Sequence, residues 1–393
     1  MNRDSLLGQL STLHQMMIQL LNYVPEQEAY HPYSPQLAPL AWYFGRAVYL
    51  ETYWLREVVQ GDPEMTERVR DIFSPGEPPP EAQWRRLPPL DHLLNWALEL
   101  QEENLTRLAN PSQLGNHPLL TEGRLHPLIL QDQALLYERM LMVLAQRQLQ
   151  LPIQFQVGKA LLPTPPSTDL AGIAQGHYRV GALDDPAACD NELPPQVVQL
   201  SNFRIDRFPV SNGAWLGFME AGGYQQQELW GDSGWRWLQR AIDAPDHWRR
   251  DEAGNWYAVG INGPFELDPT DAVMGISRYE ASAYANWVAA QGGALAGTVV
   301  QHEYQWEVAA RTRAISGYGR VWEWCADPFH PYDGYQQPEW DEAVTREFDG
   351  EHSSLRGASL HTQQVCRRPS IRNRALPGSR HMFSGTRLVF PYL

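Results

Sequence analysis

The chain has little of what secreted, membrane and nucleic-acid-binding proteins depend on. Cysteine is scarce: Cys189, Cys325 and Cys366 are the 3 present in 393 residues. They are too few and too scattered for a disulfide framework and suit a reducing cytoplasm. No run approaches the roughly 18 apolar residues of a membrane span. Basic charge is short, with 31 Lys and Arg against 46 Asp and Glu and a net charge of −15. That balance argues against phosphate-backbone binding and against docking on anionic lipid, so neither nucleic acid nor membrane is an expected partner. The N-terminus lacks a basic start, an unbroken apolar core and a small-residue cleavage site, so it reads as a helix rather than a signal peptide. No internal repeat and no heptad pattern stands out.

What is present is ordinary for a soluble globular protein: 43% hydrophobic and 20% charged residues, in a chain long enough for two or three domains. Residues 1–150 read as a helical bundle. Leu6, Leu10, Leu13, Met17, Leu20 and Leu21 recur at the steps of one helix face. Further helices are expected over Leu37–Val59, Asp91–Leu108 and Pro127–Leu149, with proline-bearing stretches such as residues 74–80 interrupting them. Residues 151–175, with Pro163, Pro165 and Pro166, read as a semi-rigid linker. From residue 176 to 393 tryptophans concentrate (Trp215, Trp230, Trp235, Trp237, Trp248, Trp256, Trp287, Trp306, Trp322, Trp324, Trp340) and glycine is frequent. This part reads as an α+β domain rich in ordered loops, each pinned by aromatic anchors. Helices are expected there at Arg278–Ala290 and Glu303–Arg311.

An ordered set of motifs runs through this second part: Phe203-Arg204-Ile205-Asp206 with Pro209-Val210-Ser211-Asn212, then Tyr279 to Trp287, Trp306 to Arg311, Val321-Trp322-Glu323-Trp324, Arg356-Gly357-Ala358-Ser359, Arg368 to Asn373, and Phe383 to Leu388. The set resembles formylglycine-generating-enzyme-like domains, which have a C-type-lectin-like fold. In the first part, Pro39 to Arg46 and Leu130 to Glu138 resemble the two iron-binding helices of the ergothioneine- and ovothiol-type sulfoxide synthases. A DinB-like four-helix bundle followed by this domain is that family's architecture. The resemblance implies Fe(II) held by three histidines and oxygen-dependent joining of a thiol to a histidine derivative. Selenoneine synthases look similar.

At the three ligand positions this sequence carries Arg46, Asp132 and Leu136. Guanidinium has no lone pair to give and brings a positive charge, leucine has no donor, and one carboxylate does not make a site. An Arg46–Asp132 ion pair is a sensible replacement for a metal. His14, His92 and His126 lack partners at ligand spacing, as do His302 and His330. Formylglycine-generating enzymes bind copper through two cysteines. Cys366 stands near one of those positions and Thr362 near the other, so no thiolate pair is expected.

For substrate binding, the resemblance points to Arg85 and Arg86, before Leu87-Pro88-Pro89-Leu90, as carboxylate holders; a solvated basic pair is the alternative. Arg374 follows Arg372-Asn373 where family members carry Trp-Asp. With Arg380 it favours an anionic ligand. Tyr332 and Tyr335 are the nearest counterparts of the family's catalytic tyrosine. Three readings stay open: an iron-free binding or regulatory protein, with a small anionic or amino-acid-derived ligand and an active paralogue as partners; an enzyme with another metal, or none, that still joins sulfur or selenium to a small molecule; and an active iron enzyme of the family.

Overall fold

A computed structural model describes residues 3–74, 81–239, 242–338 and 348–392. The proline-rich residues 75–80 and Trp340 lie outside them. The N-terminal part has four long helices: α1 (Arg3–Asn22), α2 (Leu40–Thr52), α3 (Leu90–Ala109) and α4 (Leu125–Gln150). Each of α1 and α2 packs against both α3 and α4, which makes a four-helix bundle. Leu6, Leu10, Leu13, Met17 and Leu21 are buried, as their spacing requires. Pro39 stands at the N-cap of α2 and fixes its start three residues later than Leu37. Every residue of α2 is buried, and the helix widens at its end into a π-helical turn over Tyr53–Val59. No helix among the described residues is long and apolar enough to cross a membrane.

Residues 151–169 have no regular secondary structure. The stretch expected to be linker up to residue 175 nonetheless contains β1 (Leu170–Ile173), which pairs antiparallel with β4 (Phe203–Asp206). Four residues are too few to show an alternating pattern, and pairing decides their state. Thr164 N–H also donates to Gly213 O (2.9 Å), so the end of this stretch is already built into the second half.

The C-terminal half is the expected α+β assembly. β2 (Gly176–Val180) pairs with β3 (Gln196–Leu200), and β5 (Trp248–Arg250), β6 (Trp256–Gly260) and β7 (Gly263–Glu266) form a three-stranded sheet. With β8 (Val299–Val300), β9 (Trp322–Pro328), β10 (Ser353–Gly357), β11 (Arg372–Ala375), β12 (Ser384–Thr386) and β13 (Leu388–Pro391), two four-stranded sheets run β1-β4-β13-β8 and β11-β10-β9-β12. Helices α5 (Asn212–Glu220), α6 (Gly231–Leu238), α7 (Arg278–Ala290) and α8 (Glu303–Arg311) complete it. The last two have the expected bounds. α5 and α6 were not foreseen, because their glycines lower intrinsic helix propensity; burial of Trp215, Phe218 and Leu238 overrides it. Trp215, Trp306, Trp322 and Trp324 are fully buried, so these tryptophans are packing anchors.

Candidate functional site between the bundle and the C-terminal domain

Helix α4 carries contacts between the bundle and the C-terminal half. Its core-facing residues are apolar apart from Gln133, whose Nε2 donates to Ala47 O (2.7 Å), and at roughly seven-residue steps it turns polar groups toward the C-terminal half. Arg124, at its start, pairs with Asp190 (3.0 Å); Gln131 Nε2 donates to Ala187 O (2.6 Å); Gln146 donates to Asp246 (2.8 Å). Glu138 stands between them, 2% exposed. Its carboxylate accepts from Trp322 Nε1 (2.9 Å), from Thr362 Oγ1 (2.9 Å) and from Ser359 Oγ. Burial raises its pKa, and those donors pull it back.

Beside this contact lies a pocket of about 120 Å³, lined by Arg46 and Leu50 of α2, by Asp132, Leu135, Leu136, Glu138, Arg139 and Met142 of α4, and by Asn373 and Arg374 of β11. For scale, a cavity of about 150 Å³ holds benzene. The pocket therefore gathers Arg46, Asp132 and Leu136, the three residues that the motif resemblance singles out, and adds Arg374. Asp132 accepts a hydrogen bond from Trp54 Nε1 (2.7 Å). Burial pushes its pKa up to about 6, against the pull of that bond and of the Arg46 charge. Arg46 is 6% exposed and donates to Phe73 O (2.6 Å), with its guanidinium carbon 5.3 Å from the Trp42 ring. The relation between Arg46 and Asp132 is thus electrostatic, with each side chain also held by its own aromatic-side anchor. Arg139 Nη1 lies 2.9 Å from Met382 Sδ, and the Arg374 guanidinium lies 5.6 Å from the Phe329 ring centre.

The remaining expected site residues lie elsewhere. Arg85 and Arg86 are surface groups paired with Glu81 and Asp71, the solvated alternative. Arg380 does not face the pocket: Glu280 (3.3 Å), Asp246 (3.9 Å) and Ala244 O surround it. That carboxylate cage satisfies its charge and leaves no call for an anionic ligand. Tyr332 is 2% exposed and lies under the Arg372 guanidinium (4.1 Å), and Tyr335 packs edge-on to Phe348 (5.4 Å). Neither lines the pocket, because both serve as loop anchors.

Two of the three candidate bundle histidines hold structural contacts and the third is on the surface. His14 bonds Glu51 (2.7 Å) inside the bundle, His126 Nε2 lies 3.2 Å from Leu108 O, and His92 is exposed beside Asp91. Among the described residues no three His, Cys, Asp or Glu side chains are grouped as a metal site. Cys325 and Cys366 are fully buried, and Thr362 spends its hydroxyl on Glu138.

Sequence reasoning missed Arg139 and the role of Glu138. Their signal was available: a carboxylate inside the apolar run from Ala134 to Ala145 needs partners from another element, because unpaired burial is costly.

Residues 161–318 match the sulfatase-modifying factor enzyme 1-like domain. The chain is 30% identical to hercynine oxygenase of Mycobacterium tuberculosis, over 54% of this chain and 58% of that protein, so that alignment spans little more than half of each. It is 27% identical to hercynine oxygenase of Mycolicibacterium smegmatis over 99% of both chains. The formylglycine-generating enzyme of Thermomonospora curvata is 34% identical over 36% of this chain and 48% of its own length. A helical bundle, a formylglycine-generating-enzyme-like domain and a pocket where the two meet are thus features of a chain that is similar to the hercynine oxygenases along its length.

Proposed function

We propose that this chain is a divergent family member that has exchanged the iron site for a charged ligand pocket, and that it binds a small anionic or amino-acid-derived molecule between its two halves. The observation that carries this reading is the lining of the pocket: Arg46, Arg139 and Arg374 converge with Asp132 and Glu138 around one small cavity. The donor set there does not fit Fe(II). Arg46 and Leu136 offer no lone pair, the Arg46 guanidinium repels a cation, and the Asp132 carboxylate is engaged by Trp54 and carries a raised proton affinity. The same set fits the carboxylate and ammonium groups of an amino acid. Arginines take the carboxylate, and Asp132 takes the ammonium. Binding, and through it regulation of an active relative, is the function this arrangement supports best.

Two measurements test the proposal. Iron content after anaerobic loading is expected to stay at background; near-stoichiometric iron that disappears in Asp132→Ala overturns it and restores the family chemistry. Titration calorimetry with γ-glutamylcysteine and with hercynine, the compounds the family uses, is expected to show binding of at least one, weakened tenfold or more by Arg374→Ala. Heat from neither sinks the ligand assignment.

A further inference from the structure

A second cavity, of about 570 Å³, lies wholly within the C-terminal half and its approach segment, and it shares no lining residue with the interdomain pocket. Asp206, the last residue of β4, faces it and is 2% exposed. One carboxylate oxygen accepts from Leu388 N–H (3.3 Å), while Oδ1 has no hydrogen-bond partner among the described residues. The neighbouring Arg387 acts on this carboxylate only through its charge and gives it no hydrogen bond. Its Nε and Nη2 bind Glu323 (2.9 Å each), Nη1 binds the Asp206 main-chain oxygen (2.8 Å), and Nη2 also reaches Ser316 O (3.0 Å). Burial pushes the Asp206 carboxyl up to about 8, against the pull of the Arg387 charge and the Leu388 N–H, so the empty cavity favours a proton on Asp206 at neutral pH and a bound cation takes that proton's place.

Tyr284 also lines this cavity. It is 1% exposed, stacks on Trp215 (5.1 Å between centroids), and its hydroxyl makes no hydrogen bond to any described residue. Phe208 and Phe390 add apolar wall, Phe208 standing 51% exposed. Asp271 and Arg320 also line the cavity and neutralise one another (2.9 Å), so an anion finds no uncommitted cation there.

An enclosed carboxylate oxygen with no donor, beside an idle phenol and flat apolar walls, is the layout of a small-molecule site. We infer that this cavity binds a small organic monocation, an ammonium or amidinium head on a flat apolar body. The head donates to Asp206 Oδ1 and Tyr284 Oη, and the body lies against Phe208 and Phe390. A single water needs only about 10–15 Å³ of such space, so water bridging the two groups does not by itself account for the volume. The inference rests on none of the interdomain residues and stands or falls separately from the proposed function.

Benzylamine and its neutral counterpart benzyl alcohol are the probes, titrated into the full-length chain and followed by ligand-observed NMR. Benzylamine is expected to bind saturably and benzyl alcohol at least tenfold more weakly. Asp206→Asn should weaken benzylamine at least tenfold and leave benzyl alcohol unchanged, and Phe208→Ala should weaken both alike. Equal binding of the two probes, no saturable benzylamine binding, or indifference to Asp206→Asn overturns the assignment. If Asp206→Asn fails to fold, Phe208→Ala decides together with intermolecular NOEs from the benzylamine ring to the Tyr284 and Phe390 rings of the unaltered protein; their absence has the same overturning force.

Discussion

Asp132 shows how far one residue's environment can depart from its type. Its pKa in the folded chain, about 6, lies above the ordinary carboxylate value of 3.8. A proton on Asp132 therefore favours the folded state. That contribution is fully present below about pH 4 and is lost as pH rises through 6, after which the carboxylate is held at a cost. Asp132→Asn is neutral at every pH and retains an oxygen for Trp54. It should come within about 0.5 kcal/mol of the unaltered protein near pH 4 and exceed it by about 3 kcal/mol at pH 7.5, read from urea midpoints at both pH values. An unchanged difference between the two would show that the carboxylate is already solvated in the pocket.

Single helices hold their places through close fits that the local sequence does not advertise. A Cβ on Gly45 would sit 2.3 Å from the Phe73 ring, which is itself stacked on Trp96 at 5.8 Å. Helix propensity alone favours Gly45→Ala by about 1 kcal/mol. The displaced ring reverses the sign, and a net loss of about 1–3 kcal/mol is expected by thermal or chemical unfolding. Because Phe73 O receives Arg46, the same change should also weaken ligand binding in the pocket. In α7, Ser277 Oγ accepts from Glu280 N–H (3.1 Å) while the Glu280 carboxylate accepts from Ser277 N–H (2.7 Å), so Ser277→Ala should cost about 1 kcal/mol or somewhat more.

At this scale the sequence is highly legible where periodicity is long. The bundle helices follow from apolar spacing and the prolines that interrupt them, and α7 and α8 have the expected bounds. β1, α5 and α6 are short, and glycine or tertiary pairing decides them, so local pattern is silent. The site divides in the same way. Arg46, Asp132, Leu136 and Arg374 are found by their places in motifs that the fold brings together. Arg380 and Tyr332 look equally exposed to chemistry in the sequence, yet burial and neighbouring charge absorb them. Those neighbours, Glu280 and Asp246 for one and Arg372 for the other, are distant in the chain.

The whole molecule is joined by arginine and buried carboxylate rather than by an apolar seam alone. Within the C-terminal half, Arg356 pairs with Glu307 and Glu303, Arg372 with Glu303 (2.8 Å), and Arg387 with Glu323 (2.9 Å), all with almost no exposure. Between the halves, Glu138 does the corresponding task with neutral donors. Glu138→Ala leaves Trp322, Ser359 and Thr362 without their acceptor and should destabilise the chain by roughly 3 kcal/mol or more. Glu138→Gln keeps an acceptor oxygen and should cost about 1 kcal/mol, so the two variants separate loss of charge from loss of bonding. Urea unfolding followed by tryptophan fluorescence distinguishes them, and equal losses would mean that charge is what matters.

Glu138 and the pocket share one boundary: Asp132 and Arg139 ride on the same helix, and Arg374 faces them from β11. A molecule lodged there touches both halves of the chain at once. Its affinity is then inseparable from their adhesion, and under the proposed function the boundary works as a latch with the bound molecule as its key. Filled, the two halves should melt as one body. Empty, they should part more readily, and a protease offered the irregular stretch 151–169 would report the difference as a change in cleavage rate.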